Sequence, residues 1–159
     1  MILVALGTQD LSFNRLLIKI DELIELKIIE QPVFAQIGCS TYEPQHFEFC
    51  RMMPYDAFQE KLAQCDLFIT HGGTGSLVGA LKLGKRVIAV PRLAKYGEHV
   101  DDHQKQIISV FEDAGMIISI EEMKDMERAL ADIQDFVPST FVSNKTNMIA
   151  LIEDYIQSA

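Results

Sequence analysis

The sequence predicts an α/β domain of Rossmann-like type, a parallel sheet with helices on both faces. Two observations predict it. Short apolar runs alternate with stretches of helical periodicity along the chain, the pattern of strand–helix–strand units. The runs are continuously apolar rather than alternating, as strands buried on both faces require. A third observation bears on function. Three loops that follow strands are polar and glycine-bearing: Gly7-Thr8, Thr70–Ser76 (THGGTGS) and the stretch after Val90. In open parallel sheets ligands bind beyond the carboxyl ends of the strands.

The elements follow in order. Residues 2–6 (ILVAL) form a strand ended by Gly7-Thr8. Residues 12–27 form a helix: Ser12 is placed to cap it, and Phe13, Leu16, Leu17, Ile20, Leu23 and Ile24 recur at helical spacing. Residues 33–37 (VFAQI) form a strand closed by Gly38, 40–46 a loop, and 47–50 (FEFC) a third strand. A helix over 55–64 leads to a strand at 66–70, and a helix at 75–84 ends on Gly84. Residues 86–90 (RVIAV) form a strand stopped by Pro91, 92–100 a loop, and 101–114 a helix ended by Gly115. A strand at 116–120, a helix at 121–132 and a final helix at 143–157 complete the chain.

With 159 residues and an apolar fraction of 48%, the chain suits one domain, residues 1–159, around one core. A formal charge of −9 without a long basic run argues against nucleic acid and against anionic lipid. No apolar run reaches the roughly 18 residues that span a bilayer. The N-terminus reads as a strand rather than a signal peptide. Cys39, Cys50 and Cys65 form no CxxC pair and fit reduced thiols. The expectation is a cytoplasmic location.

THGGTGS carries the strongest chemical signal. Gly72, Gly73 and Gly75 permit close backbone approach, and a helix that starts beside Ser76 offers free N–H groups and its dipole to an anion. Thr74 and Ser76 add hydroxyls. A diphosphate is the natural guest; the plainer reading is a tight turn with Ser76 as its cap. The loop is not GxGxxG. The nearby GALKLGKR (79–86) starts like a P-loop but lacks its Ser or Thr and runs from helix to strand, the wrong order.

The loop PRLAKYGEHVDDHQ (91–104) offers Arg92 as a fork for phosphate, Glu98 or Asp102 as acceptors for sugar hydroxyls, and His103-Gln104 as hydrogen-bonding partners. His99 and His103 are four apart but lack the HExxH glutamate, so no metal is assigned. His71, at a strand end before glycines, is a candidate ligand contact able to titrate near neutral pH. No GxSxG elbow is present, and Cys65 precedes a buried strand, where a thiol is inert packing.

Taken together, Gly7-Thr8, MPYDAF (53–58), CDLFITHGGTGS (65–76), GKRVIAVPR (84–92) and GEHVDDHQ (97–104) resemble the C-terminal domain of glycosyltransferase family 28. Within it the chain is similar to the short stand-alone members: donor-binding subunits of two-part transferases, and above all the bacterial exopolysaccharide and capsule type. The resemblance covers nearly the whole chain. It implies the C-terminal half of a GT-B architecture, binding a UDP-sugar, with a membrane-associated partner supplying the acceptor half and a lipid-linked saccharide. It implies inverting hexosyl transfer, galactose in β-1,4 linkage as the best match, without cofactor or metal. An alternative is a non-catalytic subunit that stabilises such a transferase.

Carried onto this sequence, the resemblance puts Gly7 and Thr8 at the cleft between the halves and His71, Gly72, Gly73, Thr74, Gly75 and Ser76 around the diphosphate. Met53, Pro54, Tyr55 and Phe58 come near uracil. Arg92, Glu98, His99, Asp102, His103 and Gln104 line the sugar and phosphate side. His71 and Glu98 are the candidate bases. Where many members carry a ribose-binding Glu in the helix after the glycine loop, this chain has Gly79. The apolar positions of 143–157 make that helix a candidate partner contact.

Overall fold

The computed structural model describes residues 1–101 and 103–142. The expected helix at 143–157 lies outside them, as does Asp102. Six strands form one sheet: β1 (Ile2–Ala5), β2 (Val33–Gln36), β3 (Glu48–Cys50), β4 (Leu67–Thr70), β5 (Arg86–Ala89) and β6 (Ile118–Ser119). Their order is β3-β2-β1-β4-β5-β6, and every pairing is parallel. The chain therefore works outward from β1 to one edge, returns to β4, and works outward to the other. The reversal leaves a crevice between the carboxyl ends of β1 and β4, where Ala5 and Thr70 stand in register.

The helices are α1 (Asn14–Glu25), α2 (Tyr55–Gln64), α3 (Thr74–Lys82), α4 (His103–Asp113) and α5 (Met126–Asp135). Side chains alternate faces along a strand, so β1 feeds both layers. Ile2 and Val4 pack with Leu16, Leu17 and Ile20 of α1 and Met126 and Ile133 of α5. Leu3 and Ala5 pack with Phe58 and Leu62 of α2, Leu77 and Ala80 of α3, and Ile108 of α4. All four β1 residues are buried, which is why the segment is apolar without alternation.

α3 stops as expected at Gly84. Its φ of +65° lets Lys85 N–H reach Ala80 O and Gly84 N–H reach Leu81 O, the paired bonds of a left-handed helix stop. Two helix starts differ from expectation. α1 is preceded by Phe13 without a side-chain cap, because the Ser12 hydroxyl donates to Cys39 O, across to the turn after β2. The helix expected at 121–132 begins only at Met126, after a short 3₁₀ turn, Met123–Asp125. Among the described residues no helix is long and apolar enough to cross a membrane.

Candidate functional site

The switch-point crevice is built on one buried imidazole. His71 follows β4. Its backbone N–H donates to Ala5 O at 3.2 Å, and its ring Nδ1 lies 3.2 Å from the same carbonyl. A carbonyl only accepts, so Nδ1 carries the proton. The ring fills the space between two loops. A Cβ at Gly7 would come within 2.6 Å of Nε2, and one at Gly73 within 2.4 Å. Gly7 needs glycine twice over, since its φ is +81°. Gly72 lies just as tightly against α4, where a Cβ would come within 2.4 Å of Ile108 Cδ1.

Burial pushes the His71 pKa down from 6.5 to about 4, with Arg92 and His99 adding to the effect and the Ala5 carbonyl opposing it. The expectation that His71 titrates near neutral pH is corrected accordingly. At pH 7 the ring is neutral and its Nε2 is an unprotonated acceptor at the base of the crevice.

α3 opens directly from this packing. Gly73 is its N-cap, with no side-chain cap. The first bond of the helix runs from Leu77 N–H to Gly73 O at 3.0 Å, which leaves the N–H groups of Thr74, Gly75 and Ser76 ahead of the ladder. Thr74 and Gly75 are exposed, and a Cβ on Gly75 would meet no atom within 4 Å. Ser76 therefore sits in the first turn rather than capping it, and the tight strand-to-helix turn has Gly73 at the cap position. An exposed helix N-terminus of this kind attracts anions through its donors and dipole.

Beside it is a pocket of about 220 Å³ lined by Ala5, Gly7, Thr8, Gln36, Met52, Met53, Tyr55, Phe58 and Ser76. It brings together residues singled out in the sequence: Gly7, Thr8, Met53, Tyr55, Phe58 and Ser76. Gln36, at the end of β2, holds its rim by accepting from Met53 N–H at 3.1 Å. The pocket shares Tyr55, Phe58 and Ser76 with a groove of about 560 Å³ between α2 and α3, which continues past Val78 and Gly79 to Lys82 and Leu83. Gly79 lies inside α3, where glycine costs about 1 kcal/mol relative to alanine. Packing does not demand it, because a Cβ there would meet only Leu62 Cδ2, at an ordinary 3.7 Å.

The loop 91–104 is arranged differently from expectation. Arg92 has no exposed surface. Its Nε and Nη2 donate to Leu6 O at 3.2 and 2.7 Å, and Nη1 donates to Leu11 O at 2.6 Å and Glu98 O at 3.1 Å. Burial lowers its pKa, and Glu98 opposes that shift. This guanidinium is turned onto backbone carbonyls, so it is not a fork for phosphate. Glu98 is buried as well. Oε1 accepts from Arg15 Nε at 2.7 Å and Oε2 from Leu93 N–H at 3.0 Å, so both oxygens already serve the fold. Gln104, also buried, accepts from Arg92 N–H at 3.2 Å. His99 faces Gln9 Nε2 at 2.9 Å and Asp101 N–H at 3.1 Å. Of His103 only the backbone, at the start of α4, is described.

Arg15 and Gln36 were not singled out in the sequence. Each leaves a faint trace, a lone arginine at the start of an apolar helix pattern and a lone polar residue inside VFAQI. Arg15 also donates to Pro91 O at 2.6 Å and Glu121 O at 2.7 Å, tying the loop to the β6 end of the sheet. Cys65 is buried, and burial raises its pKa, as inert packing requires.

Comparison with known proteins gives a consistent picture. The profile of the glycosyltransferase family 28 C-terminal domain matches residues 1–155. The UDP-N-acetylglucosamine transferase subunit ALG13 of Candida glabrata is 34% identical over 86 residues, 52% of this chain and 39% of that protein. Among solved structures, MurG of Acinetobacter baumannii superposes with a TM-score of 0.56 at 18% identity, over 83% of this chain and 41% of that one. The glycotransferase of kitacinnamycin gives 0.58 at 16%, over 84% and 34%. An NMR structure of ALG13 gives 0.50 at 18%, over 94% and 93%. The chain thus spans about two-fifths of the curated relative and 34% of the kitacinnamycin enzyme. At these identities the structural likeness concerns the fold, which is that of the C-terminal half of GT-B glycosyltransferases.

Proposed function

The chain belongs to glycosyltransferase family 28, as its C-terminal domain, and on that premise we propose that it is the donor-binding subunit of a two-chain, UDP-sugar-dependent hexosyltransferase. The observation that carries this reading is the start of α3. Three N–H groups stand ahead of the helix ladder beside the pocket of Gly7, Thr8, Met53, Phe58 and Ser76, so one ligand can place an anion on the helix and a ring in the pocket.

In the proposed reaction an acceptor hydroxyl oxygen attacks the anomeric carbon. The new C–O bond forms as the bond to the UDP oxygen breaks, with inversion. Negative charge grows on the departing diphosphate, and the N–H groups of Thr74, Gly75 and Ser76 with the α3 dipole stabilise it. The acceptor proton needs a base. Glu98 is engaged by Arg15 and Leu93, and His71 protonates only near pH 4. With its pKa lowered to about 4, His71 Nε2 is only a weak base, so we assign the stronger base to the partner, a membrane-associated chain that also holds the lipid-linked saccharide. From the sequence resemblance, the sugar is galactose in β-1,4 linkage, the product belongs to exopolysaccharide or capsule, the reaction needs no metal, and the chain works at the cytoplasmic face of the membrane.

Calorimetric titration of the full chain with UDP, UDP-galactose, UDP-N-acetylglucosamine and ATP, with and without magnesium, tests this. UDP binding indifferent to magnesium, with UDP-galactose preferred, is expected. The Cβ introduced by Gly75→Val meets no atom within 4 Å, and the variant should weaken UDP at least tenfold without lowering Tm. Equal binding of ATP and UDP, or unchanged UDP affinity in Gly75→Val, would overturn the reading.

A further inference from the structure

We infer that His99 is a positioning residue: paired with Gln9, it straps the loop after β1 to the loop after β5 across the exit of β4, and the strap holds Gly7 and Thr8 in place as walls of the crevice. That the crevice takes a UDP-sugar is the reading proposed for this domain, and the effect of the strap on the donor rests on it. β4 lies between β1 and β5 in the sheet. A contact between the two outer loops therefore passes over the end of β4, which His71 follows. One such contact joins residues 90 positions apart: the Gln9 side-chain amide lies 2.9 Å from His99 Nε2.

His99 is placed for this task. Its neighbours Val100 and Asp101 are exposed, yet its own side chain keeps only 12% of its surface. Nδ1 faces the Asp101 N–H at 3.1 Å and the Asp101 carboxylate at 3.2 Å, so the ring is fixed by its own loop and presents its far nitrogen to Gln9. The loop on the other side needs holding. Residues 7–10 belong to no helix or strand, and Thr8, Gln9 and Asp10 are exposed. Arg92 anchors the carbonyls on either side of them, Leu6 O and Leu11 O, and the same guanidinium holds Glu98 O, next to His99. The strap adds an attachment between those anchors. A wall fixed before the ligand arrives costs no ordering on binding. Because Gly7 packs against the His71 ring, slack in this loop also lets water reach Nε2.

NMR titration of the His71 ring in the full chain reads the strap without any ligand. The charges facing this ring are Arg92 and His99, and the Ala5 carbonyl holds its Nδ1. Gln9→Ala leaves all three in place and removes the strap. The His71 pKa should then rise from about 4 by about one pH unit or more, through lost burial. An unchanged His71 pKa in Gln9→Ala would overturn the inference. Calorimetric titration with UDP supplies the second readout. Gln9→Ala and His99→Leu should each weaken UDP about fivefold, and the double variant should bind no more weakly than either single one. His99→Gln keeps an amide that reaches toward Gln9 and should retain wild-type affinity. Additive losses, or a loss in His99→Gln as large as in His99→Leu, would make His99 a ligand contact and overturn the strap. If UDP does not bind wild type, the donor-binding reading alone falls, since the His71 titration still decides the strap.

Discussion

Two loops at the carboxyl edge of the sheet use their polar groups in opposite ways. The loop 70–76 buries one imidazole between glycines and leaves three backbone donors ahead of the helix ladder. The loop 91–104 carries more charged and polar side chains, yet Arg92, Glu98 and Gln104 close onto the protein itself. The difference teaches that side-chain polarity near a cleft is a poor guide to ligand contact. What matters is which donors and acceptors stay unmatched after folding, and in the first loop these belong to the backbone.

The comparison breaks if the second loop proves to be the ligand loop. Arg92→Met keeps most of the volume but leaves the carbonyls of Leu6, Leu11 and Glu98 without their cation. A loss of about 3–5 kcal/mol is expected from such buried unpaired groups, read by urea denaturation. Intact stability with abolished UDP binding would reverse the roles of the two loops.

The second effect comes from His71 and sharpens the contrast through pH. Its folded pKa of about 4 lies below its unfolded value of 6.5, so the native state binds fewer protons in that window. The contribution is fully present above pH 6.5 and lost as pH falls toward 4, a change of about 3 kcal/mol. Denaturation midpoints across that range should fall in wild type and stay level in His71→Gln. Asp21 acts lower on the scale. Burial raises its pKa, but the Tyr42 hydroxyl and the N–H groups of Gln45 and His46 outweigh that and hold it below 3.8. The smallest effect is Glu98→Gln, which removes the anion beside Arg15 and keeps an acceptor for Leu93 N–H. About 2 kcal/mol is expected, the range for a charged hydrogen bond. UDP affinity should not change; a large drop would restore Glu98 to the ligand.

Much of the fold was legible because buried parallel strands are apolar on both faces. The segments 2–6, 33–37, 66–70 and 86–90 each announce a strand, and glycine marks the stops after residues 83 and 114. Helix starts were less legible. Ser12 has the composition of a cap, but its hydroxyl serves Cys39 O, a partner 27 residues away. The backbone course of the glycine loop was readable because it is local, a strand end joined directly to a helix start. The destination of Arg92 was not readable, since it ends on the carbonyls of Leu6 and Leu11, and every residue has a carbonyl. Glu98 escaped for a related reason: its partner Arg15 lies 83 positions away on another element.

The His71 ring between Gly7 and Gly73 also constrains how this domain can change over generations. A methyl at either glycine collides with the same ring, so the three positions behave as one epistatic unit. Gly73 can give way to alanine only after His71 has shrunk, and Gly7 keeps a separate veto in its left-handed backbone. The accessible mutational path runs through His71 first, and the intermediate on that path has already lost the acceptor at the bottom of the crevice.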